Sequence, residues 1–155
     1  MRTCQTSGSG ETISVGPTCA KPTFSGTIGA DLRIANLSNS SPRAADLSGA
    51  NLDLADLSGA DLRNANLNGT NLSYANLRGA ILESANLSSA NLNGAVLDSA
   101  NLRGTKFYRA NLHRATLVLA DLVHASGIEG LIFLARGLRY RREAFPCRSS
   151  GRAWP

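Results

Sequence analysis

The chain has 155 residues, a net charge of +5 and only 5% aromatic residues, so it is long enough for one domain but too poor in large rings for a conventional globular core. Leu, Ala, Asn, Ser and Gly recur instead, which points to a core assembled from thin repeated layers. Residues 30–125 hold eight acidic and eight basic side chains, whereas residues 126–155 hold six arginines against two glutamates, so the body is neutral and the tail basic.

Residues 1–29 open with Arg2 and continue through a polar Thr/Ser/Gly stretch without an apolar run of signal-peptide length. This segment reads as disordered or as a cap on the first repeats. Cys4, Cys19 and Cys147 are odd in number and lie outside the repeats. They form neither a disulfide framework nor a zinc spacing, so the expected location is the reducing cytoplasm.

From Ala30 the sequence repeats every five residues through Leu122. Stepping by five from Leu32, the centre of the quintet is Leu in seventeen of nineteen cases, with Phe107 and Pro42 as the exceptions. Two residues earlier stands Ala in sixteen of them, replaced by Ser40, Thr70 and Thr105. Steps of five rotate by about 140° on an α-helix and would spread the leucines around it. On a flat strand an odd step throws successive leucines to opposite faces. The chain must therefore turn once per quintet, with each Leu and its preceding Ala pointing to a common interior. Asn or Asp precedes the centre in fourteen quintets, where a short polar side chain can bond nearby backbone at a turn. Gly49, Gly59, Gly69, Gly79, Gly94 and Gly104 suit costly turn dihedrals, and Pro42 predicts a distorted or bulged quintet.

The run from Ala44 to Gly79, AADLSGANLDLADLSGADLRNANLNGTNLSYANLRG, resembles the pentapeptide-repeat proteins. That resemblance implies an all-β fold, a right-handed quadrilateral β-helix in which four quintets make one square coil. The nineteen quintets would then make nearly five coils.

With four quintets per coil, residues twenty apart share a column. One outward column reads Arg43, Arg63, Glu83, Arg103 and Val123, a basic stripe in which the Glu can pair with its neighbours. Another carries Ile34, Leu54 and Tyr74, contiguous apolar side chains that mark either a partner site or a surface covered by residues 1–29. Near the end, Val118, Leu119 and Val123 replace outward polar residues and need a cover. Residues 126–144, with Leu131, Ile132, Leu134 and Leu138 among arginines, predict a short amphipathic C-terminal helix that caps the solenoid or joins two copies as a homodimer. Residues 145–155 read as disordered.

No nucleophile, base and stabiliser converge in the pattern, and no phosphate-loop, zinc-protease or hydrolase motif occurs. His113 and His124 are single outward substitutions. The expectation is a protein without enzyme activity, cofactor, metal, small-molecule substrate or membrane span. It would act as a scaffold for an unknown protein partner. The resemblance adds a second reading, since some pentapeptide-repeat proteins mimic duplex DNA and bind DNA gyrase, giving quinolone tolerance. The third reading is nucleic-acid binding through Lys106, Arg109, Arg114 and the basic C-terminal end.

Overall fold

The computed structural model describes residues 28–128, and within them each quintet folds the same way. The residue before the centre forms a β-bridge, except before Pro42, and the two after it form a turn. In the quintet of Leu52, the Ala55 amide donates to the Leu52 carbonyl at 3.1 Å. This closes a tight turn over Asp53 and Leu54, and Leu54 sits at φ 59°. The second turn residue has positive φ in every quintet from Ile34 to His124; six are glycines and thirteen are not.

The bridges are parallel and join residues twenty apart, as in Asn51 with Asn71 and Asn71 with Asn91. Four quintets therefore complete one coil of a β-helix. The four sides are centred on Leu52, Leu57, Leu62 and Leu67 in the second coil, and we number them first to fourth. Neighbouring coils exchange a fixed set of backbone bonds. The Leu52 amide donates to the Asn71 carbonyl at 2.7 Å, Leu54 to Ser73 at 2.9 Å, and Asn71 back to Ala50 at 2.9 Å. These bonds hold the coils at the inter-strand spacing of roughly 4.8 Å. No α-helix occurs among the described residues.

That stacking makes the core. Every central Leu from Leu47 to Leu102 is fully buried, as are most of the alanines two residues earlier. Each leucine meets its counterparts in the coils above and below, a burial that contributes about 1.5–3 kcal/mol per side chain before chain entropy is subtracted. The two threonines in alanine positions are buried without a stranded hydroxyl. Thr70 Oγ1 donates to the Leu47 carbonyl at 3.0 Å and Thr105 Oγ1 to the Leu82 carbonyl at 2.8 Å, which removes the desolvation cost of a buried polar atom.

The bulge expected at Pro42 is absent. Pro42 is buried in register, its carbonyl accepts the turn bond from Ala45 at 3.2 Å, and Ala44 still donates to Arg63 at 2.9 Å. The bridge between residues 41 and 61 is the one missing from the series. Proline lacks only the N–H that would have reached the coil above, so the quintet loses one bond and keeps its shape.

The register ends at Gly127, which occupies the next central position with φ 77°. Its backbone lies so close to the coil beneath that a Cβ would sit 2.5 Å from the Tyr108 nitrogen. Ile128, one residue later, is buried in place of a central Leu. The remainder of the expected helix over 126–144, with Leu131, Ile132, Leu134 and Leu138, lies outside the described residues, as do residues 1–27 and 145–155.

These features predict opposite effects at two positions. Pro42→Leu restores a ladder donor, so the chemical-denaturation midpoint rises by the equivalent of about 1 kcal/mol. Gly127→Ala adds left-handed strain and a backbone clash, and lowers stability by about 2 kcal/mol or more.

Candidate functional site

The outward surface derives from the same turn. The Asn or Asp before each centre accepts the amide of the residue two further on, as Asn71 Oδ1 does from Ser73 at 3.2 Å and Asp61 Oδ1 from Arg63 at 3.3 Å. On the first side, asparagines also bond along the axis. Nδ2 of Asn71, Asn91 and Asn111 donates to Oδ1 of the asparagine one coil below at 3.0, 3.3 and 3.1 Å. Each amide thus closes its own turn and ties two coils together. Recurrence of Asn at 51, 71, 91 and 111 was the sequence signal for this ladder, visible once the twenty-residue period is laid out.

The column Arg43, Arg63, Glu83, Arg103, Val123 does not behave as an open basic stripe. Arg43 and Arg63 both reach Asp61, at 3.7 and 2.6 Å, and Arg103 reaches Asp121 at 3.2 Å. Glu83 adds a charge attraction to Arg63, but the nearer partners are the aspartates before the centres: Arg63 meets Asp61 of its own quintet, while Arg43 and Arg103 reach the aspartate one coil above. Like Arg63, Arg33 pairs within its own quintet, with Asp31 at 2.7 Å, whereas Arg78 pairs at 3.2 Å with Asp98, which follows its centre one coil above. The hydrogen-bonded Arg63 guanidinium holds the Asp61 carboxyl below its ordinary range, with some opposition from burial. Asp31 is lowered in the same way by Arg33, and Asp46 by Ser48. Exposed pairs of this kind contribute little to stability individually.

Ile34, Leu54 and Tyr74 stand on three successive coils at the corner between the first and second sides, with 63%, 55% and 52% of their surface exposed. Their φ values are 59°, 59° and 54°. This is the left-handed region, where a bulky residue is an outlier and β-branched Ile34 the most strained of the three. Above them the column continues to Gly94, over which the Tyr74 ring lies; a Cβ there would be 2.6 Å from the ring carbons. The apolar ridge therefore covers four coil heights. At the upper end Val118 and Leu119 are exposed, Leu119 by 69%, while Val123 is half-buried. Tyr108 is a further exposed aromatic, on the fourth side rather than in either named column.

Among the described residues no group of His, Cys, Asp and Glu is arranged to hold a metal ion, and no helix is long and apolar enough to cross a membrane.

The family model described as pentapeptide repeats matches this chain in eight copies, over residues 28–64, 45–83, 60–98 and 85–123. Among solved structures the chain is similar to HetL, a pentapeptide repeat protein involved in heterocyst differentiation regulation from the cyanobacterium Nostoc sp. strain PCC 7120. Identity is 36% with a TM-score of 0.50, covering 63% of this chain and 51% of HetL. It is similar also to alr5209, a pentapeptide repeat protein from Nostoc PCC 7120, at 42% identity and TM-score 0.52 over 56% of this chain and 69% of that one. Rfr23 from the cyanobacterium Cyanothece 51142 shows 37% identity and TM-score 0.44 over 69% and 65%. The chain thus spans about half the length of HetL. No curated protein matches it.

The site's geometry predicts two outcomes. Ile34→Gly relieves left-handed strain at an exposed position, so the unfolding midpoint rises by the equivalent of about 1 kcal/mol despite the lost side chain. Asp31, Asp46 and Asp61 titrate lower in the folded than in the unfolded chain. Their contribution is complete above the unfolded value near 3.8 and is lost as pH falls through the folded values. Asp61→Asn therefore flattens the acid limb of a stability-versus-pH curve by lowering its neutral plateau, and the variant and the unaltered chain converge at low pH, where Asp61 is protonated.

Proposed function

The chain belongs to the pentapeptide-repeat family, and on that footing we propose that it is a non-enzymatic scaffold that binds a protein partner along the ridge of Ile34, Leu54 and Tyr74. The observation that carries this reading is the coincidence of exposure and strain. Three apolar side chains occupy turn positions that glycine fills freely elsewhere in the repeat, and they gain little burial in return. Strained, exposed apolar residues are favoured where a partner supplies the missing burial. The backbone bonds between coils make the ridge stiff, so little ordering entropy is lost on docking. The fitting partner is a protein surface with an apolar groove wide enough to take a Tyr ring.

The basic column contributes to this reading less than the ridge does, since Arg43, Arg63 and Arg103 already face carboxylates. The same pairing separates the scaffold from a duplex mimic, which needs a continuous negative surface to compete for a phosphate-binding site. The upper end, with Val118, Leu119 and Val123, serves in this reading as the seat of a cap or of a homodimer contact.

Affinity capture with the purified chain tests the ridge. Leu54→Asp with Tyr74→Asp is expected to remove the partners held by the unaltered chain, while circular dichroism and the unfolding midpoint stay the same. Capture that survives both substitutions would remove the ridge from the function. Titration of the chain into DNA gyrase supercoiling reactions asks whether gyrase is such a partner, and inhibition that persists in the double variant would move the function off the ridge.

A further inference from the structure

Eight basic residues lie within the described span, and five of them, Arg33, Arg43, Arg63, Arg78 and Arg103, have a carboxylate partner. The other three have no such pair among the described residues, and all three fall between Lys106 and Arg114. In that run the outward residues Lys106, Tyr108, Arg109, His113 and Arg114 are exposed, and they succeed one another across the fourth and first sides at the upper end of the coil stack. The same two sides carry no carboxylate in the two coils beneath, residues 85–94 and 65–74, where the outward residues are mainly Asn, Ser and Gly. The cations thus stand at the edge of a flat, neutral field of amides and hydroxyls. Among the described residues no carboxylate pairs with them, in contrast to the cations of the second and third sides.

A second observation concerns where the chain leaves. Gly127 packs onto the backbone of Tyr108 and Phe107, so the described span ends on the fourth side, beside the strip. The sequence beyond it, residues 129–155, holds six arginines and two glutamates.

From these features we infer that Lys106, Tyr108, Arg109 and Arg114 form a binding site for single-stranded nucleic acid. The three cations contact phosphates and the half-exposed Tyr108 ring offers a face on which one base stacks. The strip turns the corner between two sides of the β-helix. A flexible strand can track such a corner, whereas duplex DNA is stiff over about 50 nm and meets only one side of it. The site is separate from the Ile34–Leu54–Tyr74 ridge in all but Arg114, which stands at the upper end of the ridge's column.

Fluorescence anisotropy of a labelled oligothymidine with the full chain, at salt from about 50 to 200 mM, tests the site. Three phosphate contacts on a single strand contribute about −2 to the slope of log K against log salt. The variant Lys106→Gln, Arg109→Asn, Arg114→Asn keeps residues that tolerate left-handed backbone and is expected to reduce the slope by about that amount. Tyr108→Ala is expected to weaken binding about fivefold or more with the slope unchanged. Unaltered affinity and slope in the triple variant would overturn the inference and assign the binding to the arginines after residue 128. Failure to bind at low salt would also overturn it. Polyglutamate competing as well as unlabelled oligothymidine, together with indifference to Tyr108→Ala, would replace nucleic acid by an acidic peptide.

Discussion

Everything in this β-helix depends on a left-handed residue at every fifth position. A five-residue period can bring its leucines to one interior only if the chain corners once per quintet, and the corner is made by a turn whose second residue has positive φ. That residue points outward, so the largest conformational cost in the repeat falls on the surface, where side-chain identity is free to vary. The backbone bonds between coils outweigh that cost collectively. They also explain why thirteen residues other than glycine can hold the conformation without loss of register.

The same geometry decides how much the sequence discloses. The core is legible because Leu and Ala sit at fixed steps and burial leaves them few alternatives; each central Leu from Leu47 to Leu102 is buried as its spacing requires. Pro42 misleads because proline in a strand usually signals a break, yet here the ladder asks its position for a single N–H. Ion pairing misleads for a different reason. Reading one column at a time sets Arg63 beside Glu83, whereas the turn sets it within 2.6 Å of Asp61 in the same quintet. Local backbone closure takes precedence over column neighbours when both offer a carboxylate.

The outward residues are legible as columns but not as sites. Ile34, Leu54 and Tyr74 stand out from spacing alone, yet their strain appears only with the dihedral angles, because the repeat gives glycine no monopoly on the corner. The strip at Lys106 to Arg114 is inconspicuous in a sequence whose body has no net charge. It becomes distinct when the pairing of the other five cations is known, since what marks it is the lack of a carboxylate pair among the described residues and not the number of charges. The asparagine ladder has the opposite character. It is conspicuous in both, and its bonds are already spent on the chain itself.

A bridge offset of twenty residues makes the chain a vernier as well as a rod. Insertion or loss of a single quintet would leave the interior almost indifferent, since one Leu layer is equivalent to the next. It would nonetheless swing everything above it by a quarter turn, carrying the cations to another side while the ridge stayed where it was. Only whole coils change the height between the two surfaces without changing their bearing. In an array so tolerant inside, the relative azimuth of two outward features is a quantity that drift in repeat number erases first, and a partner that engages both at once would be the agent that keeps the count.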